Sequence, residues 1–566
     1  MHDVLVIGGG LAGCRTAIAA AAQGASVAII SKVHPLRSHS VAAQGGIAAA
    51  LGNQCIDSWE EHMFDTVKGS DYLGDQDAIE ILAREAPNTI IELEHWGVPF
   101  SRDKEGRITQ RNFGGHEKPR ACYAADRTGH AMLHELFSRV IKEHIKIYEE
   151  WYVLSLIIEH DQAQGVVAYS LTSGSVEVIA AKCVVIATGA YGRVFETTSN
   201  DHGSTGDGLF LALEQGIPLE DMEFVQFHPT GLFPAGVLIS EAARGEGGYL
   251  RNDSGERFMQ RYAPAKMELA PRDITSRSIV TEVQEGRGIK GGPYVHLDLT
   301  HLGHDLIHQR LSFAWEESKR HLGIDAERDL IPVRPTAHYS MGGIPTTVEG
   351  KVRKNANDIV RGLYAVGECA CVSVHGANRL GTNSLLDCIV FGKIAGRDAA
   401  LLAKRMTLMP PISPRWVKHA EEKISRLLTS KGSLRIASLR HKMQHQMTDH
   451  VGVFRDQATL QQAVQSLHSV IGEYGQIALD DKSRFFNMEL VRVLELQCMM
   501  HVGQAIAFSA LQRRESRGAH YRTDFPKRDD VQFLQHSLVR QDHSGNLSVE
   551  AMPVVITKFQ PQERKY

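Results

Sequence analysis

Five short stretches of the chain bring together residue types that can grip an anion. QFHPTG (226–231) presents His228 in a turn shaped by Pro229 and Gly231. LISEAARGEGG (238–248) holds Glu241 and Arg244 three residues apart, a spacing that pairs them on one face of a local helix. LAPRDITSRS (269–278) offers Arg272, PTAHYSMGG (335–343) offers His338, and HGANRLGTNSLLD (375–387) offers Arg379. Guanidinium forks bind carboxylates bidentately and imidazoles add directed donors, so the set suits a small dicarboxylate. Any one of these residues alone reads as ordinary polar surface or core, as most of the 28 histidines do; five such stretches together point to a site.

Something must position them. Residues 3–7, DVLVI, read as a buried strand, followed by Gly8-x-Gly10-x-x-Gly13, an alanine-rich helix and a second strand ending at Ser31. Glycines at those positions allow a tight turn, close approach to a pyrophosphate and close helix–strand packing, with the helix N-terminus facing the phosphates. The acidic residue that usually follows the second strand to bind ribose is replaced by Ser31-Lys32, which weakens a nicotinamide-dinucleotide reading. His39 follows, between two serines. Two later strands run into glycine turns, AKCVVIATGAYG (181–192) and GLYAVGECA (362–370), so one nucleotide domain is interrupted by an insertion. The expected organisation is 1–221 and 339–400 for the nucleotide domain, 222–338 for the insertion, 401–525 for a helical domain and 526–566 for a small, partly β C-terminal domain.

Bulk properties narrow the class. The 566 residues exceed what one core supports. A formal net charge of −4, with no long basic run, gives little support to nucleic-acid binding. The eight cysteines are scattered, and Cys369-x-Cys371 matches no common zinc or iron–sulfur spacing, so no metal ligand set is expected. The apolar start carries Asp3 and a glycine cluster, which argues against both a signal peptide and a membrane span.

Read in order, Gly8-x-Gly10-x-x-Gly13, RSHSVAAQGGIAAALGN (37–53), TVKGSDYLGDQDA (66–78), QFHPTG, RGEGG, HYSMGGIPT, VHGANRLGTNSLLD and ESRGAHYRTDFP (515–526) resemble the flavoprotein subunit of the succinate dehydrogenase/fumarate reductase (complex II) family. The resemblance runs from residue 3 to about 526. It implies an α/β fold: a Rossmann-type FAD-binding domain with an inserted α+β capping domain, then a helical and a small C-terminal domain. It implies FAD at Gly8, Gly9, Gly10, Ala12, Gly13, Ser31, Lys32, Ser38, Gln44, Gly45, Gly46, Asp207, Glu368, Asn383, Ser384 and Leu385, with a covalent bond to His39. It places His228, Ser240, His338, Arg379 and, as a wall, Phe113 around the dicarboxylate. It makes Arg272 the proton-transfer residue, with Glu241 and Arg244 relaying its proton. Thr382 stands where the family usually has glycine. The resemblance further implies succinate oxidation to fumarate or its reversal, and electron transfer through an iron–sulfur subunit and a membrane anchor to quinone. No transit peptide is visible, so the expected location is the cytoplasmic face of a prokaryotic inner membrane, held there by partner subunits. L-Aspartate oxidase shares several of the motifs but lacks the covalent histidine; a non-enzymatic flavin-binding module is the other alternative.

Overall fold

Val4, Leu5 and Val6 are wholly buried, the pattern a central parallel strand needs because helices cover both its faces. In the computed structural model, which describes residues 1–564 apart from 407, 408, 410 and 543, they belong to the strand His2–Ile7. The undescribed 407, 408 and 410 fall in the expected helical domain, and 543, 565 and 566 in the expected C-terminal one. His2–Ile7 pairs in parallel with Val27–Ser31 on one side and with Val176–Ile186 on the other. Ile359–Ala365 adds in parallel beyond Val176–Ile186, and Lys146–Glu149 beyond Val27–Ser31. The strand order thus brings residues 2–31, 176–186 and 359–365 into one sheet although much of the chain separates them.

The first helix, Leu11–Ala21, starts directly after the glycine turn. A Cβ on Gly13 would lie 2.0 Å from the Gly8 carbonyl oxygen, so only glycine lets the helix settle onto the strand. The long helix Asn383–Arg405 crosses it just as closely: a Cβ on Gly396 would lie 2.3 Å from the Thr16 carbonyl oxygen.

The insertion builds its own antiparallel sheet, ordered Val225–Leu232, Ile331–Ser340, Val295–Asp298, Tyr249–Arg251, with its own buried cluster including Leu250, Ile279, Leu297 and Val333. The helix Arg272–Gln284 packs against its first strand. Long helices follow at Arg415–Thr429, Ile436–His450, Gln457–Glu473 and Met488–Gln512; Asp456 and Thr459 close a reciprocal cap at the start of the third. A hairpin, Gln535–Gln541 with Leu547–Pro553, pairs back onto Leu219–Glu220.

A buried ionic lattice ties this last part of the chain to the insertion. Glu515 accepts from Arg513 Nη1 at 3.0 Å, from Arg517 Nε at 2.8 Å and from the Asp529 amide at 2.8 Å, while Arg513 also binds Glu223, two residues before the strand Val225–Leu232. Removing one member strands the others in a low-dielectric interior, which costs about 3–5 kcal/mol. Glu515→Ala should therefore lower the thermal unfolding midpoint by several degrees in a calorimetric scan; an unchanged midpoint would show that the lattice is not structural.

Candidate active site

A cleft of about 460 Å³ runs from the glycine turn to the insertion's first strand. At one end lie Gly8, Gly9, Gly10 and Ala12, then Ser31, Lys32, Ser38 and His39; Gln44, Gly45 and Gly46 follow along the wall. Asp207, Glu368, Ser384 and Leu385 complete that half. Lys32 Nζ lies 2.7 Å from both Asp207 Oδ2 and Glu495 Oε1. Burial lowers this lysine, but the two carboxylates outweigh it and hold the ammonium above its ordinary value. Burial pushes Glu368 up to about 7, although its carboxylate accepts the Ser340 amide at 2.9 Å.

The RSHS segment folds as two short 3₁₀ turns against the glycine loop, so closely that a Cβ on Gly10 would sit 2.7 Å from Ser38 Oγ. His39 Nδ1 accepts the Asp201 backbone N–H at 3.3 Å. The Asn200 amide spans the gap to the insertion: its Nδ2 is 3.2 Å from His39 Nε2 and donates to the His338 carbonyl at 2.9 Å.

The other end of the cleft gathers His228, Glu241, Arg272, His338 and Arg379. Strand pairing does this: His228 sits opposite Thr336, so the two imidazoles come to 5.0 Å between ring centroids. Arg272, the first residue of its helix, donates Nε to Glu241 Oε2 at 2.7 Å and Nη1 to Gln226 Oε1 at 2.9 Å. Arg379 reaches the same Gln226 oxygen at 3.3 Å, with its guanidinium 4.2 Å from the Tyr339 ring centre. Glu241 accepts the Gly114 amide at 2.5 Å and faces Arg244 Nη2 at 3.7 Å. Phe113 closes the wall against Gly45, where a Cβ would lie 2.8 Å from its ring.

Burial, reinforced by Arg272, holds both His228 and His338 well below the ordinary histidine value, so both are neutral near pH 7. Burial lowers Arg379 to about 9, with Arg272 adding to the effect. Burial raises Glu241, yet Arg272 and Arg244 more than offset that and keep it a carboxylate.

Four residues named from the sequence stand off the cleft lining. Gly13 packs against the strand instead of facing the cleft. Ser240 Oγ accepts the Ala242 amide at 3.2 Å, a local turn contact. Asn383 turns away toward His62 Nε2 and Thr66 Oγ1, each at 3.0 Å. Arg244 lies behind Glu241, donating to the Glu268 carbonyl. Thr382 lines the cleft with φ +68°, a strained conformation for a β-branched residue and the one a glycine takes freely. Gln226, Ser199 and Asn200 were not singled out from the sequence. Gln226 lies inside QFHPTG, one residue from Phe227 and two from His228, but amides signal little by type. Ser199 Oγ is 2.8 Å from His338 Nδ1.

The cleft also carries buried polar atoms without protein partners, Gln44 Oε1 in the glycine-lined half and His228 Nε2 in the other. Donors, acceptors and a Cβ-free wall of this kind fit an elongated dinucleotide followed by a small anion. A family model described as an FAD binding domain matches residues 3–385, and one described as fumarate reductase flavoprotein C-term matches 440–566. The chain belongs to the succinate dehydrogenase/fumarate reductase flavoprotein family. It is 47% identical to the succinate dehydrogenase flavoprotein subunit of Rickettsia bellii, covering 98% of this chain and 95% of that one. It is 46% identical to the fumarate reductase flavoprotein subunit of Mycobacterium tuberculosis, covering 100% and 99%. A solved E. coli quinol fumarate reductase chain superposes with a TM-score of 0.94 at 39% identity, covering 99% and 98%. The cleft is lined almost wholly by residues that the FAD-binding-domain model matches.

Burial lowers the Arg379 guanidinium to about 9, so if it binds a carboxylate it would first have to take up a proton above that pH. Affinity for an unreactive dicarboxylate such as malonate, followed by the change in flavin absorbance, should therefore be flat from pH 7.5 to 8.5. It should weaken towards tenfold per unit above about 9; a flat profile to pH 10 would place the Arg379 transition elsewhere.

Proposed function

We propose that this chain interconverts succinate and fumarate, with FAD bound in the cleft through a covalent bond to His39. The observation that carries this reading is the convergence of His228, His338, Arg272 and Arg379 at the end of a cleft whose other end is a dinucleotide loop. The Arg379 guanidinium and two imidazole edges match two carboxylates, with Arg272 beside them to handle the proton. The Gln226 oxygen shared by Arg272 and Arg379 fixes their separation.

Bound FAD supplies the two-electron acceptor or donor. The chain's own residues handle the charges and the proton. Arg379 and the imidazoles hold the carboxylates and exclude water from the end of the cleft. Arg272 exchanges a proton with the substrate carbon from its guanidinium. A guanidinium is a reluctant base, so the neighbouring carboxylate matters: Glu241 Oε2 takes the Nε proton, leaving a neutral Arg272 able to accept the substrate's, and Arg244 takes the proton on from Glu241 only as it gives up one of its own towards solvent. Arg244 in turn abuts the Glu268 carbonyl, and the Glu268 carboxylate bonds half-exposed Arg257, which leads towards solvent. In fumarate reduction the same groups deliver the proton inward.

His39 suits the covalent role because the Asp201 N–H fixes the lone pair of Nδ1. Nε2, which faces the Asn200 amide at 3.2 Å, is the nitrogen left to bear a substituent. Its absence from L-aspartate oxidase-like chains makes it the discriminator between the two readings. Electrons would leave through an iron–sulfur subunit and a membrane anchor to quinone; the E. coli relative is a quinol fumarate reductase. Among the described residues no helix is long and apolar enough to cross a membrane, in keeping with attachment through partners at the cytoplasmic face of a prokaryotic inner membrane.

Two variants test the reading. His39→Ser should release its flavin on denaturation while wild type keeps a fluorescent band on a denaturing gel; full release from wild type would end the covalent claim. Arg272→Gln should lower succinate–dye turnover by about 100- to 10,000-fold, the usual worth of a proton-transfer group, with malonate affinity changed far less. Equal losses in both would make Arg272 a binding residue only.

A further inference from the structure

Among the described residues, two groups of histidine and carboxylate outside the cleft place their ligand atoms within 4.8 Å of one another. In the first, His536 lies fully buried, with Nδ1 2.7 Å from Asp221 and Nε2 3.2 Å from Asp75, beside Glu220. Against burial, the surrounding carboxylates hold its imidazole well above the ordinary histidine value, so it already serves as the cation of that cage, and its side chain has no exposed surface.

The second group is open. His304 and His308 stand one turn apart on the helix His304–Arg310 and therefore project from the same face. Glu327, just ahead of the strand Ile331–Ser340, meets both: its carboxylate lies 3.2 Å from His304 Nδ1 and 2.6 Å from His308 Nε2. The imidazole rings are 4.3 Å apart, and all three side chains reach solvent. We propose that His304, His308 and Glu327 form a surface site for a divalent cation of the zinc class, separate from the active site and independent of the function proposed above.

Two imidazole nitrogens and one carboxylate oxygen are the donors Zn²⁺, Ni²⁺ or Cu²⁺ prefer, whereas Mg²⁺ and Ca²⁺ want oxygen alone. A tetrahedral ion with bonds of about 2.0–2.1 Å separates its ligand atoms by roughly 3.3 Å. The carboxylate contacts, at 3.2 and 2.6 Å, lie just inside that spacing, so binding needs only small outward side-chain shifts and displacement of a proton. Solvent would occupy the fourth position. The backbone beneath is held in place: Asp325 accepts from the Glu327 amide at 3.2 Å and from Trp315 Nε1 at 3.0 Å. The ion would clip this helix to the segment that leads into the strand carrying His338.

The chain contains its own control. His130 and His134 also stack one turn apart, at 4.2 Å between centroids, but among the described residues no carboxylate joins them in a ligand set. Trp315 supplies a reporter, its ring 4.7 Å from that of His308.

The test is calorimetric titration of the purified FAD-loaded chain with Zn²⁺, with tryptophan fluorescence during Ni²⁺ titration as a second readout. Wild type and the His130→Ala/His134→Ala control should bind one Zn²⁺ equally tightly, and Ni²⁺ should quench fluorescence. His304→Ala/His308→Ala should weaken Zn²⁺ by more than roughly 100-fold, beyond what loss of a mere supporting contact does. Glu327→Gln should also weaken it, and Trp315→Phe should remove the quench while leaving Zn²⁺ affinity in place. Unaltered flavin absorbance verifies that each variant is folded. Equal Zn²⁺ affinity in wild type and His304→Ala/His308→Ala, or the loss appearing in the His130→Ala/His134→Ala control instead, would overturn the assignment.

Discussion

Three buried guanidinium groups, from Arg244, Arg272 and Arg379, surround one buried carboxylate, Glu241, and this surplus of positive charge governs the rest of the site. Charge buried without compensation is unfavourable, so the protein supplies partial partners: the Gln226 oxygen, the Glu268 carbonyl and the Tyr339 ring face. None is an anion. On the proposed reading, an entering dicarboxylate completes the balance. Burial, reinforced by the same charges, keeps His228 and His338 neutral, so each offers one directed hydrogen bond and no further charge.

Holding these groups at fixed spacing is the task of the inserted sheet. Its first strand carries Gln226 and His228, its neighbour carries His338, and the helix packed on it begins with Arg272. Arg379 comes from the nucleotide domain, directly ahead of the long helix that crosses the first one. The proposed substrate site therefore lies where two parts of the chain meet, and the Asn200 amide links His39 on one side to the His338 backbone on the other. Glycine makes that approach possible: the bulk of the RSHS turn fits against Gly10 and the Phe113 ring against Gly45 because neither carries a side chain.

Much of this was legible in the sequence. The strand–glycine–helix–strand unit at the N-terminus announces itself locally, since apolar runs and glycine spacing act over a few residues. So does the Glu241–Arg244 pair, three residues apart and 3.7 Å in space. The convergence of His228 with His338 was not legible from spacing, because it depends on a strand pairing that closes a loop of about a hundred residues. The residues overlooked, Gln226, Ser199 and Asn200, are neutral polar types whose meaning lies only in what they touch. Ser240 and Asn383 show the converse: motif position suggested the site, while a local turn contact engages Ser240 and long-range hydrogen bonds to His62 and Thr66 engage Asn383. Thr382 keeps the glycine-like backbone of its position at the price of strain.

The central claim is that the cationic pocket presents a dicarboxylate, in particular succinate, to the bound flavin. Anaerobic addition of succinate to the oxidised holoprotein, followed by visible absorbance, tests it most directly. Succinate should bleach the flavin band, fumarate should restore it, and L-aspartate should do neither. Bleaching by L-aspartate with none by succinate would contradict it.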